Sequence, residues 1–473
     1  MRYIRTMAAL ACSMTDGPKR LPSLDKGVMI MTRKALILGV CFYTCFLAAL
    51  PKALEAQNSS MPPASANVTR FDPIAATESY LAKIPAEKRA QSDAYFEGGY
   101  WLQLWNILIG IGLAYLLLAG RWSSRMRDLA ERLTRRKALQ TLIYWIQYLI
   151  VTTLITFPMT VYEGFFREHK YGLATQTFGP WLGDELKGLM VGLILGGVLI
   201  MVLYGVVRKL PRTWWMWGSV VMIVFLILAL LISPIFIDPL FNKYTPLTDA
   251  TIREPILRLA RANGIEANDV FMFDASRQTT RVSANVGGFL GTERIALNDN
   301  LLNRCTLPEI ETVMAHEMGH YVLNHIYKML NFFLIITVIG FAFLRWSFDF
   351  SLKKWGQKWG VRGIGDAAGL PLVVLLLSVF FFFMTPVTNS LIRIQEAEAD
   401  IYGLNAARQP DGEAEVALKL GEYRKMSPGP VEEFIFYDHP SGRNRILMAM
   451  RWKAENLGQL PARAPAHSML PAQ

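Results

Sequence analysis

Residues 316–320 read His-Glu-Met-Gly-His. On a helix, residues i and i+4 share a face, so His316 and His320 can present two imidazoles to one metal ion. Glu317 sits one step round, close enough for its carboxylate to take a proton from a water activated there. That trio is the chemistry of a zinc hydrolase. The ion polarises a carbonyl and makes water nucleophilic, and the glutamate carries a proton to the leaving amine. The same five letters arise by chance on helices of mixed polarity, so the rest of a site has to be found. Four of the chain's six histidines are His316, His320, His325 and His439, and the motif lies just before an apolar run.

Zinc needs at least one more protein ligand. The four cysteines, Cys12, Cys41, Cys45 and Cys305, form no CxxC pair, so His and carboxylate must hold the ion. Residues 393–400, RIQEAEAD, supply Glu396, Glu398 and Asp400. Glu396 and Asp400 share a helix face. One of them can bind the ion while the other accepts the second N–H of a ligand imidazole. Taken alone, the same cluster reads as a solvated acidic helix face.

The elements that must position these groups are mostly membrane helices. Only 18% of the 473 residues are charged, against roughly 25% in soluble domains, and the mean hydropathy is +0.26. Uncharged stretches long enough to cross a bilayer occur at 101–119, 139–162, 188–207, 213–237 and 367–392, with a shorter one at 329–344. An N-terminal apolar run brings the total to as many as seven. Residues 1–30 read as a non-native or disordered extension. Residues 31–56 read as a signal peptide or a first span, with Arg33 and Lys34 before the apolar run. Residues 57–99 form a polar extracytoplasmic segment. Four spans follow in 100–237, then an insert at 238–328 carrying the metal motif, two further spans in 329–392, C-terminal helices in 393–460 and a disordered tail at 461–473. Within the insert the pattern predicts a helix near 247–263 and strands at DVFMFD, RVSANV and RIALN. Thr306-Leu-Pro-Glu309 predicts a capping box opening the motif helix. The fold class is therefore mainly α: a polytopic bundle of six to seven spans with an inserted α+β metal domain.

Across roughly residues 76–456 the chain resembles the type I CAAX prenyl endopeptidases, integral-membrane zinc metalloproteases with HExxH and ExxxD motifs. The resemblance rests on FREHKYGLATQTFGPWLGDELKG at 166–188, ISPIFIDPLFNKYTPL, RIALNDNLL and HEMGHYVLNH. It rests also on the spacing of Asn389, Arg393, Glu396, Ala399 and Asp400, and on His439-Pro440 followed by Arg445. It implies a gluzincin-like core and spans enclosing a chamber that the site faces. It implies one zinc ion per chain bound by His316, His320 and Glu396, with Glu317 as base. Asp400, His325 and Arg445 would support the ligands, with Arg445 beside His439. His439 would assist the developing oxyanion, and Asn285 would hold the substrate backbone by strand addition. Three departures, Asn285-Val-Gly, Ile392 and EAEAD, bear on substrate subsites rather than on ligands.

Charge placement predicts the orientation. Loop 121–137 carries seven basic residues. Arg208, Lys209 and Arg212 follow the third apolar stretch, and Arg345, Lys353, Lys354, Lys358 and Arg362 follow the short one. Short basic loops stay in the cytoplasm, and by alternation all of these lie on one side. The metal site then lies outside the cytoplasm, at a bacterial inner membrane. The net charge of +11 resides in these loops, so it marks topology and not a nucleic-acid surface. The expected function is a metalloendopeptidase acting on peptides or membrane-associated proteins in the lipid bilayer. A heat-shock-type quality-control protease and a non-catalytic channel, transporter or receptor with a vestigial motif are the alternatives.

Overall fold

The computed structural model describes residues 71–287 and 294–459. The extension at 1–30, the apolar run at 31–56 and the tail at 461–473 lie outside the described residues. In chain order the helices are α1 (Pro73–Leu81), α2 (Ala86–Ala119), α3 (Trp122–Leu133), α4 (Lys137–Lys170), α5 (Phe178–Lys209) and α6 (Trp214–Phe241). Strand β1 (Tyr244–Pro246), helix α7 (Ala250–Ala262), and strands β2 (Val270–Phe273), β3 (Ala284–Gly287) and β4 (Arg294–Asn298) follow. The chain ends with α8 (Asp299–Arg304), α9 (Leu307–Val322), α10 (His325–Trp359), α11 (Ala367–Ala407), α12 (Pro410–Leu420), α13 (Pro430–Phe436) and α14 (Gly442–Asn456).

Helices α2, α4, α5, α6, α10 and α11 are the six among the described residues that are long and apolar enough to span a membrane. Their outward faces carry exposed Leu154, Val224, Ile335 and Phe383, the pattern of helices whose solvent is lipid. Together they enclose a chamber. The helices outrun the apolar windows that predict them. Helix α2 begins at Ala86, inside the stretch read as a polar segment, and α10 and α11 run 35 and 41 residues. An apolar window marks only the lipid-facing part of a helix, whereas backbone hydrogen bonding continues wherever polar residues find protein or water to face.

The insert folds as a four-stranded sheet in the order β1-β2-β4-β3. Strand β2 is parallel to β4, and β1 and β3 are antiparallel to their neighbours. Arg294–Asn298 is a central strand, and four of its five residues are buried. Helices α7 and α9 pack on the sheet around Ile256, Ile295, Leu297, Leu301, Ile310, Met314 and Met318. Burying each such side chain stabilises the unit by about 1.5–3 kcal/mol. The apolar stripe of α9, at 310, 314 and 318, leaves 316 and 320 on its other face. The capping box forms as expected: the Thr306 N–H donates to Glu309 Oε2 at 2.5 Å.

Helix α11 starts at the basic end of the bundle and reaches Glu396 roughly 40 Å further on, at 1.5 Å per residue. At its start, Arg127 of α3 pairs with Asp366 at 2.6 Å and donates to Gly360 O at 2.8 Å. Arg362 pairs with Glu131 at 2.9 Å, and Arg208 donates to Gly365 O at 3.0 Å. The basic loops read from the sequence therefore meet at one end, and the His-Glu-Met-Gly-His helix lies at the other.

Candidate metal centre

Helices α9 and α11 cross closely because the contact is made of small residues. A Cβ on Gly319 would lie 3.3 Å from Ala399 Cα, and one on Gly403 would lie 3.1 Å from His316 N. This approach brings His316, His320 and Glu396 together, with one potential ligand atom from each, all within 4.8 Å of one another. His316 Nε2 is 3.1 Å from His320 Nε2 and 3.2 Å from Glu396 Oε2. Glu396 Oε1 is 3.5 Å from His320 Nε2.

The outer nitrogens of both imidazoles are engaged. His316 Nδ1 lies 2.8 Å from Asp400 Oδ1. A carboxylate only accepts, so Nδ1 carries the proton and Nε2 of the neutral ring is left with a lone pair. His325 Nε2 donates to Glu398 Oε2 at 3.0 Å, which makes its Nδ1 the acceptor of the His320 Nδ1–H at 2.9 Å. Lys328 holds Glu398 at 2.7 Å. Both Nε2 lone pairs thus face Glu396, whose buried Oε2 has no hydrogen-bond partner among the described residues. Two nitrogen lone pairs and an anionic oxygen, with no hydrogen between them, are a donor set that fits a cation.

Glu317 lies beside this set. Burial pushes its carboxyl above the usual range, opposed by His316 and His320. His439 approaches from the loop between α13 and α14, with Nε2 3.2 Å from Glu396 Oε2 and Nδ1 2.8 Å from Asp438 Oδ1. That loop is tied to α11: Asn389 donates to Ile435 O at 2.9 Å, and Arg393 donates to Glu433 O at 2.8 Å and to Tyr437 O.

Ser441 caps α14, and the first helical turn carries Arg445 inward to a buried position. Its guanidinium donates to Asp400 Oδ1 at 2.6 Å and lies 3.1 Å from Glu413 Oε1. Asp400 Oδ1 therefore serves the His316 imidazole and the arginine together. Asn285 stands exposed on β3, the outer strand of the sheet, opposite Ala296. Two further groups escaped the sequence reading. Glu413 is buried on α12 while Glu415, two residues on, is half-exposed, and nothing in PDGEAEV distinguishes them. The 171–177 loop docks on the segment leading to β3: the Thr280 N–H donates to Leu173 O at 3.1 Å, and Thr175 Oγ1 donates to Ser276 O at 2.7 Å. Glu168 backs this contact by pairing with Arg281 at 2.7 Å and accepting from Tyr95 at 2.6 Å.

Comparison with known proteins identifies the family. The family model of the CAAX prenyl protease N-terminal region, described as five membrane helices, matches residues 73–243, where the chain has four long helices. The model of peptidase family M48 matches residues 246–453. An uncharacterized metalloprotease of Bacillus subtilis (strain 168), YhfN, is 29% identical over 352 residues, 73% of this chain and 82% of that protein. CAAX prenyl protease 1 of Saccharomyces cerevisiae is 29% identical over 311 residues, 63% of this chain and 69% of its own length. Among solved structures, S. mikatae Ste24p superimposes with a TM-score of 0.67 at 22% identity, covering 91% of this chain and 100% of that one, and shares the fold. With two models of one family spanning nearly all of residues 73–453 and six helices long and apolar enough to cross a membrane, the chain belongs to the CAAX prenyl protease family of M48 peptidases and is a multi-pass membrane metalloprotease.

Proposed function

We propose that the protein is a zinc-dependent endopeptidase that cuts peptides or membrane-associated proteins on the extracytoplasmic side of a bacterial inner membrane. One observation carries the reading: two imidazole lone pairs and the partnerless Glu396 Oε2 converge beside Glu317. His316, His320 and Glu396 would hold the ion. When bound, zinc supplies Lewis acidity toward water and the scissile carbonyl.

The chain's own groups perform the rest. Glu317 accepts the water proton at its carboxylate and delivers it to the leaving amine. Asp400 keeps the proton of His316 on Nδ1, and Arg445 keeps Asp400 charged and in place. Glu398 and His325 do the same for His320. His439 donates from Nε2 toward the carbonyl oxygen as negative charge develops there. Asn285 holds an extended substrate along β3. Its flank, Val286-Gly287, and Ile392 bear on which side chains are accepted.

The extracytoplasmic assignment is supported by the basic loops meeting at the end opposite the site. It makes secreted or envelope proteins the substrates to test. Membership of a peptidase family removes the reading as a vestigial channel, transporter or receptor. The test uses the purified full chain and a fluorogenic peptide. Chelation should abolish cleavage, zinc should restore it, and Glu317→Gln should remain inactive with zinc present. Cleavage that survives chelation, or an active Glu317→Gln, sinks the proposal. A dual reporter fused after Gln473 checks orientation: phosphatase activity places the site outside, and fluorescence places it in the cytoplasm.

A further inference from the structure

The end of the bundle opposite the metal centre holds a cavity of about 390 Å³ between the ends of α3, α4, α5 and α11. Four cations line it, Arg127, Lys137, Arg208 and Arg362, against two carboxylates, Glu131 and Asp366. Three of the cations have acidic partners. Arg127 pairs with Asp366 at 2.6 Å and Asp128 at 2.7 Å. Arg362 pairs with Glu131 at 2.9 Å, and Lys137 lies 3.8 Å from the same carboxylate.

Arg208 differs. It is half-buried at the end of α5, and its hydrogen bonds go to neutral oxygens alone: Gly365 O at 3.0 Å, Thr141 Oγ1 at 2.9 Å and Lys137 O at 3.3 Å. Its Nη2 has no hydrogen bond among the described residues. A half-buried guanidinium with no carboxylate bonded to it is poorly compensated, Asp366 and Glu131 acting on it only from across the cavity, and an anion in the cavity would offset that cost. The contact with Lys137 O sets Arg208 against the first turn of α4. The N-cap of that helix, Arg136, provides no side-chain acceptor to the first-turn backbone N–H groups.

The position selects the anion. The cavity opens where three long apolar helices, α4, α5 and α11, leave the hydrocarbon, the level of lipid headgroups. Its lining of four cations against two carboxylates suits a phosphate oxyanion, and a basic pocket between spans at this level is how headgroup phosphates are held. We propose that the cavity is a binding site for the phosphate of an anionic phospholipid, with Arg208 as its principal contact and Lys137 and Arg362 at its rim. The site is separate from the metal centre, and the proposal stands whichever way the chain faces, because headgroups lie at both surfaces.

The test compares thermal unfolding of the full chain in nanodiscs of phosphatidylcholine and of phosphatidylcholine with phosphatidylglycerol. Phosphatidylglycerol should raise the wild-type Tm by several degrees. Arg208→Gln should lose that increment. Because Arg208 also ties the start of α4 to the loop at Gly365, Gln140→Glu serves as a second variant. It leaves Arg208 intact, adds a carboxylate to the cavity lining, and should lose the increment too. Lys353→Gln, which removes an exposed charge near that end but outside the cavity, should keep it. Loss of the increment in Lys353→Gln to the same degree would assign the effect to diffuse surface charge and overturn the site. Retention of the increment in both Arg208→Gln and Gln140→Glu would overturn it as well. Inorganic phosphate added to phosphatidylcholine discs should have little effect at millimolar concentration. An equal rise there would overturn the lipid assignment.

Discussion

Two buried arginine–aspartate pairs stand at opposite ends of the molecule. At the basic end, Arg127 and Asp366 meet at 2.6 Å with side chains 9% and 5% exposed. At the metal end, Arg445 and Asp400 meet at 2.6 Å with side chains 8% and 2% exposed. Distance and burial are the same, and the roles differ through the third partner. Asp366 spends its remaining acceptors on backbone, the Ala368 N–H at 3.1 Å and the Arg362 N–H at 2.9 Å, so it closes a loop and starts a helix. Asp400 shares its bonded oxygen between Arg445 and His316 Nδ1. A buried ion pair is thus structural by default. It becomes part of chemistry when it fixes the tautomer of an imidazole whose other nitrogen faces a partnerless carboxylate oxygen.

Substitutions should separate these roles. The largest effect on turnover is expected from Glu317→Gln, which removes the base without touching a ligand. Peptide cleavage should fall by about 10²–10⁴-fold while metal content and Tm stay near wild type. Asp366→Asn should do the reverse. Stability should fall by about 3 kcal/mol, the low end for breaking a buried pair because Arg127 keeps Asp128, while zinc affinity is unchanged in a chelator titration. Asp400→Asn should weaken zinc binding by about 10–100-fold. Equal zinc affinity in Asp400→Asn and Asp366→Asn would erase the distinction between the two pairs. The smallest effect is expected from Arg281→Gln. Its pair with Glu168 is partly exposed, so kcat/KM should drop by roughly fivefold or less, chiefly through KM, with metal content unaltered. A loss of zinc there would show that the 171–177 loop supports the metal centre and not the substrate strand.

The parts of this arrangement that could be read from the sequence are those where chemistry and spacing coincide. His316, Glu317 and His320 are adjacent on one turn, so their convergence needs only a helix. The capping box at Thr306 and the strand at 294–298 are equally local. Glu396 and Asp400 lie some 80 residues away. Composition left their roles interchangeable, and what distinguishes them is the close crossing at Gly319 and Gly403, a tertiary feature. His325 and Glu398 were visible as residue types, but the relay from Glu398 through His325 to His320 depends on how α9 ends and α10 begins. Arg445 was named only through the resemblance, and its bond to Asp400 joins two helices distant in sequence, which no local pattern reports. The apolar windows located every described span and misjudged their lengths, since hydropathy reports lipid contact and not where a helix stops.

The most direct test of the account is the metal content of the purified full-length chain, measured by mass spectrometry for the wild type and for Glu396→Ala side by side. The account predicts close to one zinc per folded wild-type chain, and none retained by Glu396→Ala at a Tm that still shows a folded bundle. A wild-type chain that cleaves peptide without stoichiometric metal, or a Glu396→Ala chain that keeps its zinc, would contradict it.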